Sequence, residues 1–164
     1  NLIEKKNYKK IKKFINEVKP AGLILTGGDD FGVFKKRDNT EIFLLKYFLN
    51  KKKPIFGICR GMLLISKFFG IKPIKKKGHV RTYHKLKILY SQKGFPNKVN
   101  SYHNYVVNKC KKNFLINAIA PDQTIESFSI KKKRIECCMW HPERDKFSNK
   151  NYISRIRSFF HGKK

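Results

Sequence analysis

The chain has no uninterrupted apolar run of about 18 residues, the length that a membrane-spanning helix needs. Its opening stretch, Asn1–Lys13, is highly charged and has no apolar centre of the signal-peptide kind. Cysteine is sparse: the four cysteines form no C-x-x-C pair and no zinc-binding spacing. These absences predict a cytoplasmic protein without a membrane segment or a cysteine-based metal site, in which most thiols are buried and free.

Acidic residues are also scarce, 11 against 39 lysines and arginines, which gives a formal net charge of +28. Such a charge can indicate a nucleic-acid partner. The lysines, however, are spread along the whole chain, and no aromatic-and-basic motif of an RNA-binding module is present. We therefore interpret the lysine runs as solvated surface that steers an anionic small substrate. A non-enzymatic polyanion binder is the alternative.

The first 70 residues predict alternating helices and strands. Apolar spacing favours helices over 4–18 and 61–69, and short apolar runs at 22–26 and 54–58 favour buried strands. A further helix is predicted from Asp38, with Asp38 as its N-cap and Glu41 completing a capping box. This alternation indicates an α/β fold with a mostly parallel central sheet flanked by helices.

The second half is less regular, and we expect it to add antiparallel strands to that sheet. The expected pieces are strands over 86–90, 99–107, 115–120, 124–130 and 134–140, and a helix over 151–160. His79 and His84 fall in a basic loop and His161 in the tail, and the sequence assigns none of them a role.

The segment Gly57-Ile58-Cys59-Arg60-Gly61 joins a predicted strand to a predicted helix. It is the thiol counterpart of the G-x-S-x-G nucleophile elbow, whose flanking glycines let strand and helix approach closely. In this context the helix N-terminus favours the thiolate of Cys59, and the N–H of Arg60 can bind an oxyanion. The alternative is a cysteine that is simply buried between strand and helix.

A cysteine nucleophile needs a base, and the base needs an orienting group. His141 follows a predicted strand, and Glu143 lies two residues further on, so the two could supply these roles. On its own, a His-Pro-Glu segment is more often a plain turn.

Three segments in order resemble the class I glutamine amidotransferase superfamily: Leu23–Gly28, the elbow at Cys59, and Met139–Glu143. The resemblance implies a flavodoxin-like α/β fold and a Cys59–His141–Glu143 triad. It places the family's glycine turn on Gly27 and Gly28, with the N–H of Gly28 joining that of Arg60 as an oxyanion donor.

Further motifs resemble the γ-glutamyl hydrolase branch: Arg60-Gly61-Met62, Arg37-Asp38-x-x-Glu41 and Val99–His103. The resemblance implies hydrolysis of a γ-glutamyl amide through a glutamyl thioester, without a metal or cofactor. γ-Glutamyl-CDP-amidate, a nucleotide-linked substrate of capsule phosphoramidate synthesis, is the substrate it suggests most closely. The residues implied to bind substrate are Gly27, Arg60, Ser101, Tyr102 and His103. Leu63 and Met139 stand where the family often has glutamine.

We expect residues 1–164 to form one domain. The chain begins with Asn rather than Met, and the resemblance places a further strand–helix stretch before its first helix. This predicts a domain that lacks N-terminal residues. Two alternatives therefore accompany the hydrolase: a glutaminase subunit that delivers ammonia to a separate synthetase, and an inactive remnant.

Overall fold

A computed structural model describes residues 2–90, 94–144 and 150–162, with side chains from residue 7 onward. The α-helices cover Leu2–Val18 (α1), Lys35–Asn50 (α2), Arg60–Phe68 (α3) and Lys150–His161 (α4). The strands of the N-terminal half are Leu23–Leu25 (β1), Ile55–Ile58 (β2), Ile74–Lys75 (β3) and Val80–Lys85 (β4). Those that follow are Lys87–Ile88 (β5), Lys98–Tyr102 (β6), Tyr105–Val106 (β7), Leu115–Ile119 (β8), Ile125–Ile130 (β9) and Ile135–Cys138 (β10).

The central sheet has the strand order β1-β2-β10-β9-β8-β5. Strands β1, β2 and β10 are parallel, with Gly57 of β2 paired to Leu25 on one side and Cys137 on the other. Strands β9, β8 and β5 follow with antiparallel pairings. The predicted α/β class, with antiparallel strands in the C-terminal half, is confirmed.

Apolar side chains cover both faces of this sheet and form two cores. One core lies under α2 and α3 and includes Leu45, Met62 and Cys137. The other lies under α4 and includes Phe56, Cys138 and Tyr152. Cys137 and Cys138 point to opposite faces, as adjacent residues of a strand must. Helices on both faces leave the carboxyl ends of β1, β2 and β10 as the edge where a site can form.

Two sequence predictions about local structure are wrong. Helix α2 begins at Lys35, not after Asp38, and the Asp38 carboxylate accepts from the N–H of Gly32 (2.8 Å) and binds Arg60 rather than capping the helix. His84 lies in strand β4 rather than in a loop, since β4 pairs with β6 in a separate two-stranded sheet. Within the described residues, no helix is both long enough and apolar enough to cross a membrane.

Candidate active site

Cys59 occupies a sharp elbow between β2 and α3. Its backbone has φ 49° and ψ −107°, a left-handed conformation that is strained for a residue with a side chain. The N–H of Cys59 donates to the carbonyl of Cys138 (2.8 Å), and the Cys59 carbonyl accepts from Leu63 (3.1 Å). The strain is therefore held by β10 on one side and the first turn of α3 on the other. This is the geometry that presents a nucleophile.

The elbow opens into a pocket of about 190 Å³. Residues from three places in the sequence line it: Gly28, Asp29, Asp30, Cys59, Arg60, Leu63, Tyr102, His103 and Asn104. The thiol itself is only 5 % exposed. Burial raises the pKa of Cys59 to about 11, although a hydrogen bond from the N–H of Arg60 and the charge of Arg144 act in the opposite direction. The resting group is a thiol, not the thiolate that the helix N-terminus alone predicted, because desolvation outweighs the helix end.

His141 lies just past β10 and is paired with Glu143. Its Nδ1 is 2.6 Å from Oε1 of Glu143. The partial burial of Glu143 opposes ionisation, but the hydrogen bond to His141 and nearby charges lower its pKa below the usual value. Since a carboxylate can only accept, Nδ1 carries the proton and Nε2 is free to act as a base.

The backbone of His141 is fixed by a side chain that the sequence analysis did not identify. Asn100 accepts from the N–H of His141 (2.9 Å) and donates to its carbonyl (2.8 Å), so both main-chain groups are satisfied. The ring of Tyr102 meets the imidazole edge to face, with centroids 5.9 Å apart. His141 is 2 % exposed and is therefore held on several sides. Both Asn100 and Tyr102 belong to the Val99–His103 motif, but only the fold shows that they contact His141.

The glycine turn after β1 lies directly against this histidine. A Cβ placed on Gly27 would collide with Cε1 of His141, so the contact requires glycine. Gly28, the next residue, has φ 141° and lines the Cys59 pocket. The structure thus brings the predicted glycine turn, Cys59 and His141 to one edge of the sheet.

Arg37 controls the orientation of that turn. Its Nη2 donates to the carbonyl of Gly27 (2.8 Å), and a Cβ on Gly28 would collide with its guanidinium. The carbonyl of Gly27 and the N–H of Gly28 belong to one trans peptide and point in opposite directions. By holding the carbonyl on one side, Arg37 turns the N–H of Gly28 to the other.

The side chain of Arg60 is a structural part of the elbow. It is 3 % exposed and binds the carboxylates of Asp38 and Glu41. Glu41 also accepts from Nε of Arg37 (2.9 Å), so the four side chains form one network from the elbow to the glycine turn. The guanidinium of Arg60, expected to bind substrate, is occupied by these acids. Its backbone N–H is the group that meets Cys59.

Two of the three remaining residues predicted to bind substrate line the pocket, and one does not. Tyr102 and His103 line the pocket, whereas Ser101 is fully buried and donates from Oγ to the carbonyl of His79 (2.6 Å). Ser101 therefore supports a neighbouring segment and does not line the pocket. Burial, followed by the nearby His79, lowers the pKa of His103 to about 3, so its ring is neutral.

A second pocket of about 240 Å³ adjoins the first and shares Asp30 and Leu63 with it. Lys67 of α3 and Lys72 contribute cationic side chains to its lining. Sequence reasoning did not separate these two lysines from the many others, since only the fold places them beside the elbow.

An open α/β sheet with a cysteine on a strand–helix elbow is an arrangement found in hydrolytic domains. Residues 3–158 match the family model described as glutamine amidotransferase class-I, so the chain belongs to this family. The family resemblance inferred from the motifs is confirmed, and the comparisons support an amide hydrolase.

Among similar proteins is the γ-glutamyl-CDP-amidate hydrolase of Campylobacter jejuni, 31 % identical over 144 residues, which cover 84 % of this chain and 68 % of that protein. A GMP synthase of Petrotoga mobilis is 33 % identical over 74 % of this chain and 24 % of its own length. The carbamoyl phosphate synthase small chain of Wigglesworthia glossinidia brevipalpis is 29 % identical over 93 % of this chain and 42 % of its own length. This chain thus spans less than half of those two relatives.

Solved structures show the same fold. A putative GMP synthase protein from Thermoplasma acidophilum superposes with a TM-score of 0.69 at 23 % identity, covering 86 % of this chain and 71 % of that one. A glutamine amidotransferase from Thermotoga maritima gives 0.62 at 18 % identity, covering 85 % and 64 %.

Proposed function

We propose that this protein hydrolyses a γ-glutamyl amide through Cys59, with His141 and Glu143 as base and orienting group. The observation that carries the proposal is the meeting of Gly27 with the imidazole of His141, at the edge where Cys59 opens into its pocket. That contact supports acyl transfer, because it brings the imidazole beside the glycine turn, and the next residue of that turn, Gly28, lines the pocket with Cys59.

The first step is removal of the Cys59 proton, since burial keeps the group a thiol at neutral pH. His141 takes that proton at Nε2 while Glu143 holds Nδ1–H. The sulfur then attacks the amide carbonyl, and the N–H groups of Gly28 and Arg60 bind the oxyanion. His141 returns the proton to the leaving nitrogen, which breaks the C–N bond and leaves a glutamyl thioester. Water, deprotonated by His141, attacks the thioester and releases glutamate and the thiol.

The pocket lining suits a glutamyl group. Asp29 and Asp30 lie at its rim with exposed side chains, where carboxylates can pair with the α-ammonium of glutamate. Their position supports a binding role for both side chains.

The adjoining pocket suits an anionic leaving group. Lys67 and Lys72 face a cavity that continues from the first at Leu63 and Asp30. Two lysines in the lining of a pocket that adjoins the elbow favour a phosphate-bearing amine over ammonia as the leaving group. This supports a nucleotide-linked substrate such as γ-glutamyl-CDP-amidate, the substrate in the name of the C. jejuni relative, and so a role in capsule modification.

The test is mass spectrometry of the purified protein incubated separately with glutamine and with γ-glutamyl-CDP-amidate, reading free glutamate and a glutamyl adduct on Cys59. We expect turnover of the conjugate and a glutamyl adduct on Cys59 in the unchanged protein. Both should be lost in Cys59→Ala, which has no sulfur, and in His141→Gln, which has no base to remove the Cys59 proton. Full hydrolysis by folded Cys59→Ala would refute the mechanism. Turnover of glutamine alone would favour the glutaminase subunit.

The leaving-group pocket is tested with Lys67→Ala and Lys72→Ala, and Lys36→Ala, an exposed lysine of α2, serves as the control. We expect the two pocket variants to raise KM for the conjugate while leaving any turnover of glutamine unchanged. Equal effects on both substrates would place the leaving group elsewhere.

A further inference from the structure

A second cluster of polar side chains lies behind the pocket wall and centres on Glu126 of β9. Glu126 is fully buried, and neither of its carboxylate oxygens has a hydrogen-bond partner among the described residues. A buried carboxylate without partners is costly, because it has lost its hydration and gained nothing in exchange. Such a group calls for a cation beside it.

Two histidines present nitrogens to this carboxylate. His79 Nδ1 lies 4.0 Å and His103 Nε2 lies 3.8 Å from Oε1 of Glu126. Both rings are buried, and His79 Nδ1 has no hydrogen-bond partner in the part of the chain that the structure describes.

The opposite nitrogens of both rings are already fixed by acceptors. His79 Nε2 is 3.0 Å from a carboxylate oxygen of Asp122, and His103 Nδ1 is 2.9 Å from the carbonyl of Tyr105. With a proton on each outer nitrogen, the inner nitrogen of each neutral ring carries a lone pair. Among the described residues, His79 Nδ1 has no other contact of this kind, whereas His103 Nε2 also lies 3.0 Å from the hydroxyl of Ser101, a contact that a bound ion would replace. A metal-binding histidine usually has this arrangement, with its second N–H donated to a carboxylate or a backbone carbonyl.

We propose that His79, His103 and Glu126 bind one divalent transition-metal ion, with Zn²⁺ the best match to two imidazoles and a carboxylate. Their three donor atoms lie within 4.8 Å of one another. Tetrahedral Zn²⁺ with bonds of about 2.0–2.1 Å separates its ligands by about 3.4 Å. The two Glu126–histidine distances must therefore shorten by about half an ångström, and the distance between the two histidine nitrogens by at most about 1.4 Å. His84 Nε2, 3.3 Å from Oε1 of Glu126, offers a fourth nitrogen.

The ion would join segments that are distant in sequence. His79 precedes β4, His103 follows β6, and Glu126 belongs to β9. The backbone carbonyl of Glu126 accepts from the N–H of Met139 (2.7 Å), two residues before His141. His103 also lines the Cys59 pocket. A bound ion would therefore stiffen the pocket wall opposite the elbow and needs no part in the chemistry of the triad.

The test is metal content and zinc affinity of the full chain, measured by elemental analysis and by competition with a chromophoric chelator. Cys59→Ala serves as the parent protein, so that the catalytic thiol cannot bind the ion. We expect one Zn²⁺ per chain, a rise in Tm with zinc, and an X-ray absorption edge with nitrogen and oxygen neighbours only.

Added to that parent, Glu126→Gln should weaken zinc binding by at least 100-fold and abolish the Tm rise. Asp122→Asn changes the outer partner of His79 without touching the three proposed ligands, although it also removes the ion pair with Lys76, and should weaken zinc binding by about 10–100-fold. His161→Ala, at the exposed end of α4, is the control and should change nothing.

Two results would overturn the proposal: a folded parent that binds no zinc stoichiometrically, or zinc binding that Glu126→Gln and Asp122→Asn both leave intact. If Glu126→Gln fails to fold, the Asp122→Asn titration decides alone, because that carboxylate is partly exposed.

Discussion

Two polar clusters flank the pocket at Cys59, and they differ in one respect. In the first cluster, Arg37, Asp38, Glu41 and Arg60, each charge has an opposite charge beside it. In the second, His79, His103 and Glu126, acceptors face one another, and both oxygens of Glu126 lack a hydrogen-bond partner within the described residues. The charges of the first cluster are paired within the cluster, whereas the second cluster has donor atoms that could bind a cation.

The difference teaches what each cluster can do. A saturated network of charges fixes geometry, since its members gain nothing by moving. It holds the Gly28 N–H and the elbow in place. A cluster with unpartnered acceptors needs a cation or a proton, so its contribution to the stability of the fold depends on metal supply or pH. The predictions below separate these two behaviours, from the largest expected effect to the smallest.

Members of both clusters affect the pKa of Cys59, and the reactivity of this thiol should show the largest effect. Burial raises the pKa of Cys59 to about 11, the N–H of Arg60 lowers it, and the charge of Glu126 raises it. Far below that pKa the thiolate fraction grows tenfold per pH unit. We therefore expect alkylation of Cys59 by iodoacetamide to accelerate about 1,000-fold between pH 7 and pH 10, measured by peptide mass spectrometry. A plateau below pH 9 would mean that the thiolate is instead stabilised by pairing with protonated His141.

Removing the centre of the saturated cluster should cost the most stability. Arg60→Met removes the cation that Asp38 and Glu41 share, whose side chains are only 6 % and 12 % exposed. Asp38 then has no ion-pair partner in this network, and Glu41 keeps Arg37 alone. We expect the free energy of unfolding to fall by about 3–5 kcal/mol, measured by urea denaturation. Arg157→Met, on the exposed face of α4, is the control and should stay within about 0.5 kcal/mol. Equal losses in both variants would show that the Arg60 network does not hold the elbow.

The two clusters also differ in how far sequence could predict them. The elbow at Cys59 and the strand–helix alternation before it depend on neighbours in the chain, so periodicity and glycine spacing identified them correctly. The pairing of His141 with Glu143 spans two residues and was visible for the same reason. Family membership, read from these segments in order, was also correct.

What sequence missed depends on contacts between distant segments. Asp38 carries the signature of an N-cap, yet tertiary contact with Arg60 overrides that local preference. Asn100 reaches His141 across 41 positions. His79, His103 and Glu126 come from separate elements and follow no metal-ligand spacing, so only the pairing of β4 with β6 and the packing of β9 bring them together.

Changing the contact with the glycine turn should alter catalysis without unfolding the protein. Arg37→Lys keeps the charge but loses the planar fork that binds Gly27 and Glu41 together. The Gly28 N–H would then be poorly aimed, and loss of an oxyanion donor costs about 10²–10³ in kcat. For a misaligned donor we expect kcat for the γ-glutamyl substrate to fall about 10–100-fold with little change in KM. Lys36→Arg is the matched control. A change in KM alone would assign Arg37 to substrate binding.

The smallest expected effect is the change in the free energy of unfolding when a buried glutamate is replaced by glutamine. It gives the sharpest contrast, because its sign should differ between Glu126 and Glu136. Glu126→Gln replaces a buried carboxylate with a neutral amide that can donate to the lone pair of His79 Nδ1. In the presence of a chelator we therefore expect the free energy of unfolding to stay unchanged or rise by about 1 kcal/mol. Glu136→Gln in β10 is the matched control. Oε1 of Glu136 accepts from Arg155 (2.5 Å), and the variant leaves that guanidinium without an opposite charge, at a cost of about 1–3 kcal/mol. Urea denaturation of both variants at neutral pH measures the difference. If Glu126→Gln loses as much stability as Glu136→Gln without metal, Glu126 already has a cationic partner in its own chain, and the two clusters are alike.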